Sequence, residues 1–157
     1  MAGRYLIADE PRPSGLAHLA VNPFWPLLAQ MLCGSWLSLP WFVLNGAALG
    51  SPTQRREWLC VAASLLGSLA LVFLISRAVD AGTLEGMSLR LAMLSIVALK
   101  IAMAYVLFVM QSRSFELWEY FGGKARNGVL VLMAGFFVRA KLLAALGSYP
   151  LIAIALG

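Results

Sequence analysis

Of 157 residues, 61% are hydrophobic and 12% charged, with a mean hydropathy of +0.83, whereas soluble domains carry about 25% charged residues. A core of this size cannot hide so much apolar surface, so the composition excludes an ordinary soluble fold and points to an all-α integral membrane protein. The formal charge of +5 is scattered singly or in pairs between apolar runs, a pattern suited to orienting helices and touching anionic lipid, not to binding nucleic acid.

Residues 1–22 form a short polar segment. Asp9, Glu10, Pro11 and Pro13 leave no apolar stretch for a signal peptide, so the first apolar run is expected to stay as an uncleaved anchor. A helix needs about 20 residues to cross about 30 Å of hydrocarbon. Four segments qualify, at 24–49, 58–76, 91–110 and 128–146. The expected fold is therefore a single transmembrane domain of four helices with short loops.

In the first segment Asn22-Pro23 opens the helix, Trp25 anchors it and Pro26 fits its first turn. Pro40, flanked by Trp36 and Trp41, should kink it. Read as one helix, Gln30, Gly34, Ser38 and Asn45 share a narrow arc that must face protein or water, because lipid cannot satisfy amides. Gln30 and Asn45 are thus candidate functional groups. The loop Gly50–Glu57 carries Arg55 and Arg56, and the second segment presents a small-residue face of Cys60, Ala63, Gly67 and Ala70. Cys33 and Cys60 are the only cysteines and lack CxxC spacing, so they read as buried thiols.

Lys100, central in the third segment, is the sharpest feature, since a mid-bilayer ammonium costs about 2.5–3.5 kcal/mol on insertion scales. No acid falls inside any of the four segments as drawn. Its partner must be a backbone carbonyl, an amide such as Gln30 or Asn45, water, lipid phosphate or an anion; the plain structural alternative is snorkelling or capping carbonyls at the Pro40 kink. Ser95, Ala98 and Ala102 lie on the opposite side of that helix. If this small face packs inward, Lys100 points out, toward lipid or a second subunit.

The loop Gln111–Asn127 is the richest polar stretch. Ser114–Phe121 can form two helical turns ended by Gly122-Gly123. Glu116, Trp118, Glu119, Lys124 and Arg126 make it a candidate for docking a partner or a lipid headgroup. Gly122-Gly123-Lys124 lacks the spacing and hydroxyl of a P-loop. The fourth segment either stops near Leu146 or continues as one bent helix, and its Arg139 and Lys141 lie about 200° apart on the helix.

Loop cations divide five against four under four crossings, or six against five the other way if Arg139 and Lys141 reach the C-terminal side. The expectation is that both termini are cytoplasmic, in a bacterial inner membrane. His18 is the only histidine, so no metal site, cofactor or catalytic triad is expected. The leading function is a non-enzymatic oligomeric scaffold, sensor or pore-forming subunit. The alternative is a channel or carrier for an anion or small polar solute built on Lys100 with Arg139 and Lys141. A lipid-modifying enzyme using Glu116, Glu119 or His18 ranks third. Expected partners are membrane lipids and further copies of the chain or a larger complex, with no nucleic acid.

Overall fold

The computed structural model describes residues 15–145 and 150–157. Among them the fold is all-α: a 3-10 turn at Ala17–Leu19, then α1 (Phe24–Leu32), α2 (Ser35–Leu49), α3 (Gln54–Asp80), α4 (Gly86–Tyr120), α5 (Val129–Ala145) and α6 (Pro150–Leu156). Helices α3 and α4 are long and apolar enough to cross a membrane. At 1.5 Å per residue they extend about 40 and 50 Å.

The expected single helix over 24–49 is instead a hairpin. A continuous helix would hold residues 26 and 38 about 18 Å apart, yet the Ser38 hydroxyl donates to the Pro26 carbonyl at 2.9 Å. Trp41 packs with Val21, Ala29 and Trp25, and the Val21 amide donates to Asn45 Oδ1 at 2.9 Å. Cys33-Gly34 makes the reversal, with Gly34 at φ +98°. A side chain is rarely tolerated there, and a Cβ would meet the Leu156 carbonyl at 2.8 Å. The break, not Pro40, is the decisive irregularity of this segment. Its open carbonyls find donors, as an apolar surround requires: Trp36 Nε1 donates to Cys33 O at 2.8 Å.

Two further boundaries move. Helix α3 begins at Gln54, so Glu57 lies in its first turn and not in a loop, and it is 1% exposed. Helix α4 runs on to Tyr120, absorbing Gln111–Tyr120 of the expected third loop. The chain then returns to the N-terminal segment, where the Arg126 amide donates to Ala20 O at 2.9 Å. Helix α5 climbs beside the hairpin, with Gly128 just before it against Trp25 and its Gly135 against Leu37 and Cys33. The last apolar stretch forms the separate helix α6, packed on α3 and α2. The expected stop near Leu146 lies outside the described residues.

These contacts define two ends. Residues 15–22, the Gly50–Thr53 turn and the α4–α5 connection share the near end. The α3–α4 turn, Ala81–Glu85, marks the far end. Between them, Leu39, Phe42, Ala104 and Leu107 form an apolar cluster.

Candidate functional site

The inward stripe of α4 is Ile96, Lys100, Ala104, Leu107, Gln111 and Ser114. Lys100 is therefore inside, 6% exposed, while Ser95, Ala98 and Ala102 face outward. The two faces are opposed, as the wheel requires, and of the two it is Lys100 that faces inward and the small face that faces outward. On α3 the buried positions are Glu57, Ser64, Ser68 and Val72. Of the expected small face, Cys60 and Gly67 are half-buried, and Ala63 and Ala70 are exposed.

Lys100 Nζ donates to the carbonyls of Ile154 at 2.8 Å and Gly157 at 3.0 Å. It caps the end of α6, not the Pro40 region. Arg139 does the same for the other short helix, its Nη1 donating to Leu32 O at 3.0 Å at the end of α1. Arg139 Nε is buried with no hydrogen-bond partner among the described residues. The Leu32 carbonyl at the end of α1 and the Ile154 and Gly157 oxygens of the α6 segment lie close to Gly34, and each group holds a cation. A helix C-terminus carries about half a negative charge, so a cation there is favourable.

Around this junction lies a cavity of about 480 Å³. It reaches from Arg90, about one turn into α4, to Lys100 and Arg139, with Gln30, Met31 and Ile101 among its walls. Arg90 and Lys100 are ten residues apart, about 15 Å along the helix. No carboxylate side chain lines the cavity. Arg90, Lys100 and Arg139 line it together with Gly157, whose backbone oxygen Lys100 already engages. Gln30 holds its amide there by donating to Ser35 Oγ at 3.0 Å. Toward the near end the apolar cluster of Leu39, Phe42, Ala104 and Leu107 closes the path.

Beyond that cluster is a second polar group. Glu57 accepts from Ser51 Oγ, from Thr53 Oγ1 at 2.9 Å and from Gln111 Nε2 at 2.9 Å. Gln111 also donates to Phe42 O and accepts from Asn45 Nδ2 at 3.0 Å. Ser114 closes the group on Ser51 at 3.1 Å. The knot ties α2, α3, α4 and the N-terminal segment together at the near end. Gly46 leaves the room it needs, since a Cβ there would stand 2.2 Å from Glu57 Oε2.

The structure brings Lys100, Arg139 and Gln30 to one cavity and leaves the other candidates elsewhere. Asn45 belongs to the near knot. Lys141 is exposed and does not line the cavity. Glu116, Glu119, Lys124 and Arg126 are exposed at the near end. Trp118 stacks at 6.0 Å on Phe115 and lies under Gly123. Sequence reading missed Glu57, Gln111 and Arg90. Ser51-Pro52-Thr53 ahead of Glu57 was a legible signal, because hydroxyls before a helix can turn an acid inward. No protein-family model, curated protein or solved structure matches the chain.

Proposed function

We propose that this chain is a small membrane protein that binds an anion, or a polar solute bearing one, in the cationic cavity at mid-depth, as a channel or carrier does. The membrane reading rests on what α3 and α4 show outward. In the most apolar stretch of each helix only 22% of residues are buried, the reverse of a soluble core helix. Leu66, Leu130 and Phe137 are 67%, 82% and 68% exposed, which bilayer tolerates and water does not.

In this reading α3 and α4 cross, α1–α2 enters and returns as a re-entrant hairpin, and α6 packs against it at Gly34. Irregular backbone at that depth is tolerated where it lines a cavity, and interrupted helices mark midplane sites in transporters. The hairpin also changes the charge count. Arg55, Arg56, Arg113, Lys124 and Arg126 now share the near end, against Arg77 and Arg90 at the far end. The positive-inside rule then favours a cytoplasmic near end, and the cavity opens toward the opposite side.

The observation that carries the reading is the cavity lined by Arg90, Lys100 and Arg139 with no carboxylate side chain. An intramembrane cation marks a functional site by default, and a lining of three of them would suit an anion. The test is calorimetric titration of the protein in nanodiscs with chloride, nitrate, sulfate and acetate. Saturable binding of at least one is expected, lost in Lys100→Met and in Arg139→Gln. No binding by the wild type, or binding indifferent to both variants, overturns it.

One observation favours a second reading, a homo-oligomeric subunit: the Ser95-Ala98-Ala102 face is turned outward, where small residues let helices approach. Particle mass in mild detergent separates the readings, a functional monomer of 17.0 kDa excluding the second.

A further inference from the structure

We infer that the cleft between the first turn of α3 and the near-end part of α4 binds the phosphate of an anionic lipid from the leaflet at the near end. The inference rests on the membrane reading above and uses none of the cavity's residues.

The cleft has a volume of about 490 Å³, and Arg56, Arg113, Thr53, Ser114, Val109 and Met110 line it. Its two cations come from different helices. Both arginines are exposed, and neither guanidinium has a hydrogen-bond or ion-pair partner among the described residues. Two free guanidinium groups on one cleft match a phosphate, whose oxygens each can accept a pair of N–H bonds.

The floor of the cleft explains why the arginines are free. Glu57, next to Arg56 in sequence, is 1% exposed and held by Ser51, Thr53 and Gln111, and the exposed Glu116, three residues from Arg113 on α4, does not line the cleft. Thr53 and Ser114 stand between Glu57 and the cleft, their hydroxyls already engaged with Glu57 and Ser51. Glu57 therefore does not neutralise the arginines by direct contact. Arg55, next to Arg56, adds a third positive charge to the same turn.

The walls decide which phosphate. Val109 and Met110 lie four and three residues from Arg113 toward the interior, about 5 Å deeper along α4. A headgroup held at Arg56 and Arg113 would lay its first acyl carbons on them. Free phosphate would use the arginines and leave that apolar wall bare. The near end carries the excess of cations and so faces the leaflet where anionic lipids gather.

The test uses the full chain in nanodiscs of zwitterionic phospholipid containing a minor fraction of anionic phospholipid. Co-purifying lipid is read by native mass spectrometry after mild delipidation. Wild type should retain the anionic lipid about 30-fold over the zwitterionic one, given the typical weight of two arginines near such a surface. Arg56→Gln or Arg113→Gln should each cut that about 5-fold, and the double variant should show no preference. Both arginines are exposed and unpartnered, so the variants should melt with wild type; a variant that does not is replaced by Arg56→Lys with Arg113→Lys, which should keep part of the preference. Equal retention of both lipids by wild type, or an unchanged preference in the double variant, overturns the site. Displacement of the lipid by millimolar inorganic phosphate would make it a free-anion site and overturn the lipid assignment. Failure of the chain to enter nanodiscs at all would strike the membrane reading instead.

Discussion

Replacing Gly46 with Ala separates a local from a tertiary account by the sign of its effect. Gly46 lies inside α2, and by helix propensity alone alanine there should stabilise by about 1 kcal/mol. The structure requires the opposite. A Cβ at Gly46 would come within 2.2 Å of Glu57 Oε2 and 3.0 Å of Gln111 Nε2. The carboxylate would have to withdraw by more than 1 Å to reach ordinary van der Waals distance, about 3.5 Å. That movement breaks the Gln111–Glu57 bond of 2.9 Å, and hydrogen bonds to a charged group are worth about 1.5–3 kcal/mol. A buried carboxylate stripped of one donor adds a further penalty of about 1 kcal/mol or more. After the propensity gain, Gly46→Ala should destabilise by about 2–3 kcal/mol. The assay is thermal or denaturant unfolding in one detergent, with a double-mutant cycle against Glu57→Ala. In the Glu57→Ala background the added methyl meets no carboxylate, so Gly46→Ala should cost nothing there or stabilise slightly. Stabilisation of the wild-type background by Gly46→Ala would refute the knot as drawn.

Lys100→Met should help insertion by removing a cost of about 2.5–3.5 kcal/mol. It should nonetheless weaken the inserted bundle by about 2 kcal/mol, because two interior carbonyls lose their donor; insertion mapping and melting should therefore move in opposite directions. Gly34→Ala should be among the most damaging small substitutions, since it joins a positive φ to a Cβ 2.8 Å from the Leu156 carbonyl, and its melting point should fall well below that of Gly15→Ala, where a Cβ meets nothing within 4 Å. Topology is tested by single cysteines at Gly15, Pro52 and Thr83 in a cysteine-free background, probed with a membrane-impermeant thiol reagent. Gly15→Cys and Pro52→Cys should label from the same side and Thr83→Cys from the other, whereas opposite labelling at 15 and 52 would restore the single crossing over 24–49.

Composition and apolar run length alone determined that the chain is all-α, and they located the apolar centres of α3 and α4 while leaving out both ends of each. These properties are legible because helix period and hydropathy are local quantities. The chain also announced Lys100 and Arg139 as anomalies, since a cation inside an apolar run is conspicuous without any structure. What it could not supply was the partner of either one. Lys100 finds the carbonyls of Ile154 and Gly157, 54 and 57 residues away, and Arg139 finds Leu32 O across 107 residues. Which backbone oxygens are open to them is decided by how α1 and α6 are placed in the fold, not by their local sequence. The same limit hid the hairpin. Residues 24–49 are long enough to span, and a two-residue break at Cys33-Gly34 hardly changes mean hydropathy. The reversal is decided by contacts at a distance, Ser38 on Pro26 and Asn45 on Val21. Glu57 was hidden for the opposite reason. Beside Arg55 and Arg56 it reads as a solvated loop charge, and only packing against Gly46 and Gln111 makes it a buried one. Sidedness of burial on α4 was likewise tertiary, because the wheel shows that Lys100 and the small face are opposed but not which of them the other helices cover.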